Sequence, residues 1–439
     1  MPHTQHPIEL LRFNTCGSVD DGKSTLIGRL LYDSKSLMED QVAALEKSAD
    51  ITGGGQINLA NLTDGLRAER EQGITIDVAY RYLATPKRKF IVADTPGHVQ
   101  YTRNMVTGAS TANLSIVLVD ARQGVIEQTR RHTYIAALLG IPHLVIAINK
   151  MDLVDWKQER FQEIRDEIED FLPKVGSFHD VKFIPMSALS GDNVVDLSTK
   201  TPWYEGPALL HHLENIHIAS DFKLSTFRFP VQWVNRPNNP TNKALHDFRG
   251  LSGQIASGIV RKGQEVAIFP AGIKTRVKEI WSYDGALDEA FCPQSVTLCL
   301  EHDIDVSRGD MIAGLENLPG RSGELLARVC WMNQRPLAAG KKFYLKHTTQ
   351  MVQAAVTQIE NRINFTTFDA EPSPRGLALN DIGTIRLKTA KPLLFDGYES
   401  NRLTGSFILI EQGSNATVAA GMLLPPLEAA RPEYSDFAI

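Results

Sequence analysis

Short apolar runs alternate with longer amphipathic stretches over the first half of the chain. Residues 11–16 are predicted as a first strand, and three near-continuous apolar runs follow at residues 90–93, 115–119 and 144–148. Such runs are typical of strands that are covered on both faces. Amphipathic stretches of helical period separate them, among others at residues 128–139 and 156–171. This alternation predicts a mostly parallel sheet with helices on both faces, an α/β domain over residues 1–220.

The pattern changes near residue 216. From residue 222 onward, short Val, Ile and Phe-rich runs recur and glycine turns such as Lys262-Gly263 break them. This texture predicts β-barrels, and its length favours two of them over one. Pro and Gly cluster at residues 319–323, so we place the break there. The predicted barrel domains are 221–320 and 321–439, the second with a short C-terminal tail.

Composition narrows the class of protein without naming it. The 439 residues are 43% hydrophobic and 22% charged, with a formal net charge of −5, as in ordinary globular proteins. That charge does not favour a large basic surface for nucleic acid, although a local basic patch could exist within an acidic total, and we expect no nucleic-acid partner. The N-terminus lacks the features of a signal peptide, and no apolar run is long enough to span a membrane. We therefore expect a cytoplasmic protein without a membrane partner. Its cysteines, spread too widely for a zinc site and expected to be reduced, are Cys16, Cys292, Cys299 and Cys330.

A glycine-rich loop follows the first predicted strand. Residues 17–24 match G-x-x-x-x-G-K-S, and a helix is predicted from Ser24 to Tyr32. The glycines allow successive N–H groups to face phosphate oxygens, and the helix N-terminus adds partial positive charge. Lys23 would reach the β- and γ-phosphates, and the Ser24 hydroxyl would bind Mg²⁺. The candidate phosphate-binding residues are Gly17, Ser18, Val19, Asp20, Asp21, Gly22, Lys23, Ser24 and Thr25.

A second motif identifies the base. Asn149-Lys150-Met151-Asp152 follows a predicted buried strand. The Asp152 carboxylate can accept hydrogen bonds from guanine N1–H and the exocyclic amine, a pair that adenine cannot supply. The Lys150 stem can cover the base, and Asn149 can tie neighbouring loops together. A further strand-end loop, which could offer an N–H to the guanine carbonyl or be a plain turn, is Ser187-Ala188-Leu189.

Two more segments are expected to sense the γ-phosphate. The first is Asp94-Thr95-Pro96-Gly97-His98, where Asp94 would hold Mg²⁺ through a water and the Gly97 N–H would bond the γ-phosphate. His98 would orient the attacking water, although a histidine after a Pro-Gly turn could also be a solvated surface residue. Thr75 would complete the Mg²⁺ shell, unless it is an ordinary threonine at the start of a strand. The predicted catalytic residues are thus His98, Lys23 and Thr75, and the predicted Mg²⁺ ligands are Ser24, Thr75 and Asp94.

Two acids lie inside the phosphate loop, where they would face a polyphosphate. This is electrostatically costly unless a cation is present or both side chains point to solvent. Our hypothesis is that Asp20 helps to hold a monovalent cation, K⁺ or Na⁺, near the phosphates.

Taken together, these motifs resemble the translational GTPase superfamily that includes elongation factor Tu. Within it, the chain is most similar to the family of large subunits of bacterial sulfate adenylyltransferase. Elongation factors usually have histidine where this chain has Asp21. The segments that carry the resemblance are residues 16–33, 94–105 and 128–132.

The resemblance implies a P-loop GTPase domain followed by two β-barrels. It also implies a small adenylyltransferase subunit as partner, in a heterodimer or larger assembly. The pair would make adenylyl sulfate and pyrophosphate from ATP and sulfate, driven by GTP hydrolysis. Some members of this family continue into an adenylyl-sulfate kinase with its own phosphate loop. The sequence has no second match to that motif, so we expect no kinase within these residues.

Two other functions stay open at this point. An elongation factor that carries aminoacyl-tRNA would share the domain plan, although Asp21 and the acidic balance argue against it. A scaffold that binds GTP without hydrolysing it is the other, and His98 and Thr75 argue against it.

Overall fold

The structure, a computed structural model, describes residues 10–35, 59, 75, 77–98, 101–218, 223–237, 248–426 and 435–436. The chain divides into two compact units. Unit 1 comprises residues 1–218 together with Phe365–Phe368, and unit 2 comprises the remainder. Within the described part of the chain, no helix is both long enough and apolar enough to cross a membrane.

Unit 1 is built on a six-stranded sheet in the order β2-β3-β1-β4-β5-β6. Only β2 runs antiparallel to its neighbour, β3, and the other pairs are parallel. Every residue of β4 and β5 is buried, as their continuous apolar sequences predict. The strands are β1 Leu10–Cys16, β2 Ala79–Ala84, β3 Lys89–Asp94, β4 Leu114–Asp120, β5 His143–Asn149 and β6 Asp180–Pro185.

Helices connect these strands. The helix predicted at Ser24 to Tyr32 spans Lys23–Asp33, and the stretches predicted at 128–139 and 156–171 are helices shifted by a few residues at each end. The helices are α1 Lys23–Asp33, α2 Thr102–Ala109, α3 Glu127–Leu138, α4 Gln158–Val175 and α5 Leu209–Asn215, with a 3-10 turn at Met151–Val154.

Parallel pairing brings the carboxyl ends of β1, β3, β4, β5 and β6 to one edge of the sheet. In an open sheet of this kind, ligands bind outside that edge. The phosphate loop follows β1, and three further predicted site segments, at residues 94–98, 149–152 and 187–189, follow β3, β5 and β6. Segments far apart in sequence therefore meet at one edge.

Unit 2 is all β in its described residues. One sheet of nine strands and one of seven strands each enclose an apolar core, with a two-stranded sheet beside the first. The strands are β7 Arg228–Pro230, β8 Trp233–Asn235, β9 Gly250–Gln254, β10 Ile259–Arg261, β11 Glu265–Phe269, β12 Ile273–Ser282, β13 Gly285–Leu287, β14 Glu289–Phe291, β15 Ser295–Leu300, β16 Met311–Gly314, β17 Gly320–Trp331, β18 Lys342–His347, β19 Gln350–Ile363, β20 Ala370–Pro372, β21 Ile382–Phe395, β22 Ser406–Ile410, β23 Thr417–Leu423 and β24 Ser435–Asp436.

An ion pair with a fully buried arginine joins the two large sheets of unit 2. The Arg228 side chain is fully buried at the start of β7. Its Nε and Nη2 atoms donate to the two carboxylate oxygens of Asp396 at 3.0 and 2.9 Å, and Nη1 donates to the Phe227 carbonyl at 3.0 Å. Thr404 donates a further hydrogen bond to Asp396, at 2.7 Å. This geometry satisfies both charges.

Candidate nucleotide-binding site

The phosphate loop leads directly from β1 into α1. Gly22 precedes the helix with φ of 92°, in the left-handed region that glycine adopts without strain. A Cβ at this position would lie 2.4 Å from Asn149 Nδ2, so only glycine fits. The Lys23 side chain is 7% exposed, and its Nζ donates to the carbonyls of Gly17 and Ser18 at 3.1 and 2.6 Å. Burial lowers the pKa of Lys23, opposed by Asp21 and Asp94.

The two acids of this loop lie in different environments. Asp20 is exposed, whereas Asp21 is 2% exposed and accepts a hydrogen bond from the Ser18 N–H at 2.5 Å. Burial raises the pKa of Asp21 to about 6, against the opposing effect of Lys23. The possibility that both acids point to solvent is therefore wrong for Asp21. Its carboxylate shapes the loop from inside.

Asn149 connects the phosphate loop with the loop after β6. Its Nδ2 donates to the Asp21 carbonyl at 2.7 Å, and its Oδ1 accepts from the Ala188 N–H at 2.9 Å. Asn149 is 2% exposed, so both bonds are shielded from water. One side chain thus fixes the distance between the predicted phosphate-binding and base-binding segments.

The other three residues of the predicted base motif, Lys150, Met151 and Asp152, follow Asn149 directly. Lys150 has φ of 63°, and its Nζ donates to the Asp20 carbonyl. Met151 is fully buried and donates its N–H to the Met186 carbonyl at 3.2 Å. Asp152, in the 3-10 turn, is half-buried. The buried methionine fixes the turn that presents the Asp152 carboxylate.

The loop after β6 uses most of its amides internally. The Ser187 N–H donates to the Asp192 carbonyl at 3.2 Å, and the Ala188 N–H donates to Asn149. Arg29 of α1 binds the carbonyls of Ala188 and Leu189. Of the three loop residues, only Leu189 has an N–H without an acceptor among the residues that the structure describes. The Leu189 N–H is therefore available to an external acceptor.

The segment after β3 packs against the phosphate loop. Asp94 is 1% exposed and accepts from the Thr15 hydroxyl at 3.4 Å, and Thr95 donates to the Thr15 carbonyl at 2.6 Å. Pro96 and Gly97 are also buried. A Cβ on Gly97 would lie 2.4 Å from both the Gly17 carbonyl and Lys23 Nζ. A side chain at position 97 would thus displace the lysine that is predicted to bind the phosphates.

The remaining predicted residues differ in exposure. His98 is exposed beside Tyr101, at 6.1 Å between ring centroids. Thr75 is 9% exposed, and Ser24 and Thr25 lie half-buried in the first turn of α1. The three predicted Mg²⁺ ligands all offer oxygen donors, the hydroxyls of Ser24 and Thr75 and the buried carboxylate of Asp94. Such a set fits Mg²⁺, a hard cation that prefers oxygen ligands.

One acidic residue of this edge was missed by sequence analysis. Asp120 ends β4, is 1% exposed, and lies opposite Asn149 in the parallel register of β4 and β5. Its Oδ2 is 2.9 Å from Lys150 Nζ and 2.6 Å from Arg122 Nη2. Burial alone would raise the pKa of Asp120, but hydrogen bonds from Arg122 and Lys150 lower it to about 2. Its place directly after a buried apolar run was the signal available in the sequence.

The cysteine side chains are not charged, unlike the lysine and aspartate side chains of this site. All four are free and buried. Burial raises the pKa of the Cys16, Cys292 and Cys299 thiols to about 11, which keeps them protonated at neutral pH. Among the residues that the structure describes, no group of three or more His, Cys, Asp and Glu side chains could hold a metal ion.

Two family models match the chain. Residues 9–216 match the Elongation factor Tu GTP binding domain, and residues 324–424 match the GTP-eEF1A C-terminal domain-like family. The first contains the six-stranded sheet and its site segments, and the second contains most of the seven-stranded sheet. The predicted fold class, a P-loop GTPase domain followed by all-β barrels, is confirmed.

Curated relatives match nearly the whole chain. The bifunctional enzyme CysN/CysC of Mycobacterium tuberculosis is 54% identical over 424 residues, 96% of this chain and 68% of that protein. Sulfate adenylyltransferase subunit 1 of Bacteroides fragilis is 54% identical over 96% of this chain and 87% of its own length. The same subunit of Alteromonas mediterranea is 49% identical over 98% and 90%.

Among solved structures, Sup35 complexed with GMPPNP aligns with a TM-score of 0.44 and 25% identity, over 96% of this chain and 95% of that one. The curated relatives, by contrast, share about half of their residues with this chain over nearly its full length. The resemblance drawn from the motifs is confirmed. The chain belongs to the sulfate adenylyltransferase subunit 1 family, whose nucleotide-binding domain is of the elongation factor Tu type.

Proposed function

We propose that this chain is the GTP-hydrolysing subunit of a sulfate adenylyltransferase. GTP hydrolysis in unit 1 would drive the formation of adenylyl sulfate and pyrophosphate from ATP and sulfate. The observation that carries the GTPase part is Asn149, whose side chain ties the phosphate loop to the base-binding loop. The family carries the sulfate part, and it favours this function over the transport of aminoacyl-tRNA.

The residues would divide the work by chemistry. Lys23, already desolvated, would exchange its two backbone carbonyl contacts for phosphate oxygens. Asp152 would select guanine, because an adenine base would leave its carboxylate without partners. Gly97, pressed against the phosphate loop, would sense the γ-phosphate through its N–H. The exposed His98 would orient the attacking water.

Magnesium would be held by Ser24, Thr75 and Asp94, and when bound it neutralises charge on the phosphates. Asp20 stays our candidate for a monovalent cation. Its carboxylate is exposed, and its carbonyl already accepts from Lys150. Equal hydrolysis rates in potassium and in a bulky organic cation would rule this cation site out.

Several broader assignments are part of the same proposal. The domains would be 1–220, 221–320 and 321–439, and the partner would be a small adenylyltransferase subunit in a heterodimer or larger assembly. We propose no nucleic-acid and no membrane partner. Free, buried cysteines suit a reducing compartment, so we also propose a cytoplasmic location.

A reconstitution experiment tests the function. The purified chain is mixed with a small adenylyltransferase subunit, co-purification is measured, and adenylyl sulfate is quantified with and without GTP. We expect a stable complex whose adenylyl sulfate yield rises with GTP and whose GTP turnover rises with the small subunit. GTP turnover that responds to ribosomes and not to the small subunit would make the sulfate assignment wrong.

A further inference from the structure

Lys150 of the base motif is held at its ammonium group by two separate elements. Its Nζ donates to the carbonyl of Asp20 in the phosphate loop and lies 2.9 Å from Asp120 Oδ2 at the end of β4. The Lys150 side chain is 23% exposed, whereas the Asp120 side chain is 0% exposed. Lys150 therefore connects the buried Asp120 carboxylate, which we call its anchor, to the phosphate loop.

The anchor is itself fixed. Arg122 donates to Asp120 Oδ1 through its backbone N–H and Nε, at 2.9 and 3.0 Å, and to Oδ2 through Nη2 at 2.6 Å. With Lys150 as an additional donor, both carboxylate oxygens are engaged. A carboxylate with this many donors stays ionised at neutral pH and has little freedom to rotate.

The lysine needs such an anchor. A lysine side chain has four rotatable bonds and loses much rotamer freedom when it is fixed. Without Asp120, binding of a base under the Lys150 stem would have to supply that ordering free energy. With Asp120 present, the ordering has taken place before the nucleotide arrives.

We propose that Asp120 is a positioning residue for guanine nucleotides, acting through Lys150 to hold the lysine stem over the base and its ammonium on the phosphate loop. The proposal rests on the proposed GTPase function. Because the contacts of Lys150 and Asp120 do not involve the γ-phosphate segments, Asp120 serves GDP and GTP alike. Its removal therefore raises dissociation rates and KM without changing kcat at saturation.

The test compares Asp120→Asn, Lys150→Met and the double variant. Asp120→Asn keeps the shape of the side chain and an acceptor for the Arg122 N–H, and removes the charge. Dissociation constants and dissociation rates are measured with fluorescent GDP and a GTP analogue, and GTP hydrolysis is measured at saturation. We expect Asp120→Asn to weaken both nucleotides by about tenfold, mainly through dissociation, with kcat changed less than twofold.

The double variant separates positioning from general structural support. If Asp120 acts through Lys150, Asp120→Asn costs less than twofold in affinity in the Lys150→Met background. An equal loss in both backgrounds overturns the proposal. Asp120→Glu, which keeps the charge on a longer stem, should lose less affinity than Asp120→Asn. A loss as large as that of Asp120→Asn counts against the role of the charge.

Arg122→Ala is a graded companion variant. The Arg122 side chain is 48% exposed and donates to the Asp120 carboxylate, but its backbone N–H also donates to Asp120 and is kept in the variant. We expect Arg122→Ala to lose less nucleotide affinity than Asp120→Asn, because the carboxylate keeps its charge and its contact with Lys150. A loss larger than that of Asp120→Asn would assign the effect to the turn after β4 and overturn the proposal.

The outcomes also separate this inference from the function on which it rests. Wild-type protein that binds GTP no better than ATP would contradict the proposed function itself. Wild-type protein that prefers GTP, with Asp120→Asn unchanged in affinity, would contradict only the positioning role. Unfolding temperatures of the nucleotide-free variants, measured in parallel, show which of them are folded. If Asp120→Asn does not fold, Asp120→Glu is compared in the wild-type and Lys150→Met backgrounds.

Discussion

Both units of this protein bury charged side chains, but they satisfy them in different ways. In unit 2, the Arg228 guanidinium meets both oxygens of Asp396 in a fork, and every donor group has a protein acceptor. In unit 1, Lys23 binds two backbone carbonyls, and the buried Asp21 accepts from a backbone N–H. The pKa of Lys23 is lowered and that of Asp21 is raised to about 6, each first by burial.

The difference separates a structural ion pair from a ligand site. Oppositely charged groups that satisfy each other's hydrogen bonds stabilise the packing of two sheets, but they have no donor or acceptor left for a substrate. Charges that are desolvated and held by neutral backbone groups keep their capacity for an incoming charge. The contrast predicts that variants in unit 1 will mainly change nucleotide chemistry, whereas variants at the Arg228 pair will mainly change stability.

The largest expected effect comes from Lys23→Ala. Loss of the buried ammonium group that contacts the phosphate loop should abolish GTP hydrolysis and GTP-stimulated adenylyl sulfate formation, by at least about 1,000-fold. Turnover assays with the small subunit measure this loss. Lys157→Ala, at an exposed site, removes the same charge and should leave turnover unchanged. If Lys23→Ala kept turnover within tenfold of wild type, the conclusion that the desolvated charges of unit 1 serve the nucleotide would be wrong.

Asp152→Asn should change which base is preferred. The amide cannot accept from both guanine donors, and its N–H can donate to the C2 oxygen of xanthine. We expect GTP to lose at least about 100-fold in kcat/KM while XTP gains. Competition between the two nucleotides measures the ratio. An intact preference for guanine would contradict the role of Asp152 in base selection.

Arg228→Met should act on unit 2 through stability. The change leaves Asp396, whose side chain is 15% exposed, without its cation. Breaking such an ion pair at a buried partner typically costs up to about 3–5 kcal/mol of unfolding free energy. Denaturant unfolding measures the loss, and GDP affinity, measured on the folded variant, should stay within about twofold. Adding Asp396→Leu should recover part of the stability, because it removes the unpaired charge. A large loss of GDP affinity in Arg228→Met would contradict the prediction that this ion pair acts on stability alone.

The smallest effect concerns acid stability. His132 of α3 is 3% exposed, and burial, then Lys23 and Arg131, lowers its pKa to about 3. The unfolded chain gains a proton near pH 6.5 and the folded chain does not, so stability falls as the pH drops from about 6.5 towards 3. Between pH 7 and pH 5 this amounts to about 2 kcal/mol, and His132→Gln should remove it. Parallel pH curves for the two proteins would contradict the prediction.

Local sequence predicted much of the site because its signals are local. The loop at residues 17–24 and the helix after it were placed to within about one residue, since glycine spacing and helical period are readable over a short window. The strand ends that carry Asp94 and Asn149 were found in the same way. The burial of Asp21 and the pairing of Asp120 with Lys150 were not predictable, because they depend on which strands become neighbours.

The sequence by itself determined the fold class, the order of the motifs and the chemistry of each group. It did so through periodicity, glycine spacing and donor types, all of which are properties of contiguous residues. Only the tertiary structure decided that one of the two loop acids is buried and which two loops the Asn149 side chain joins. It also decided that Asp120, thirty residues before Lys150, anchors that lysine. Parallel pairing of β4 with β5 places Asp120 opposite Asn149, and no window of sequence contains that neighbourhood.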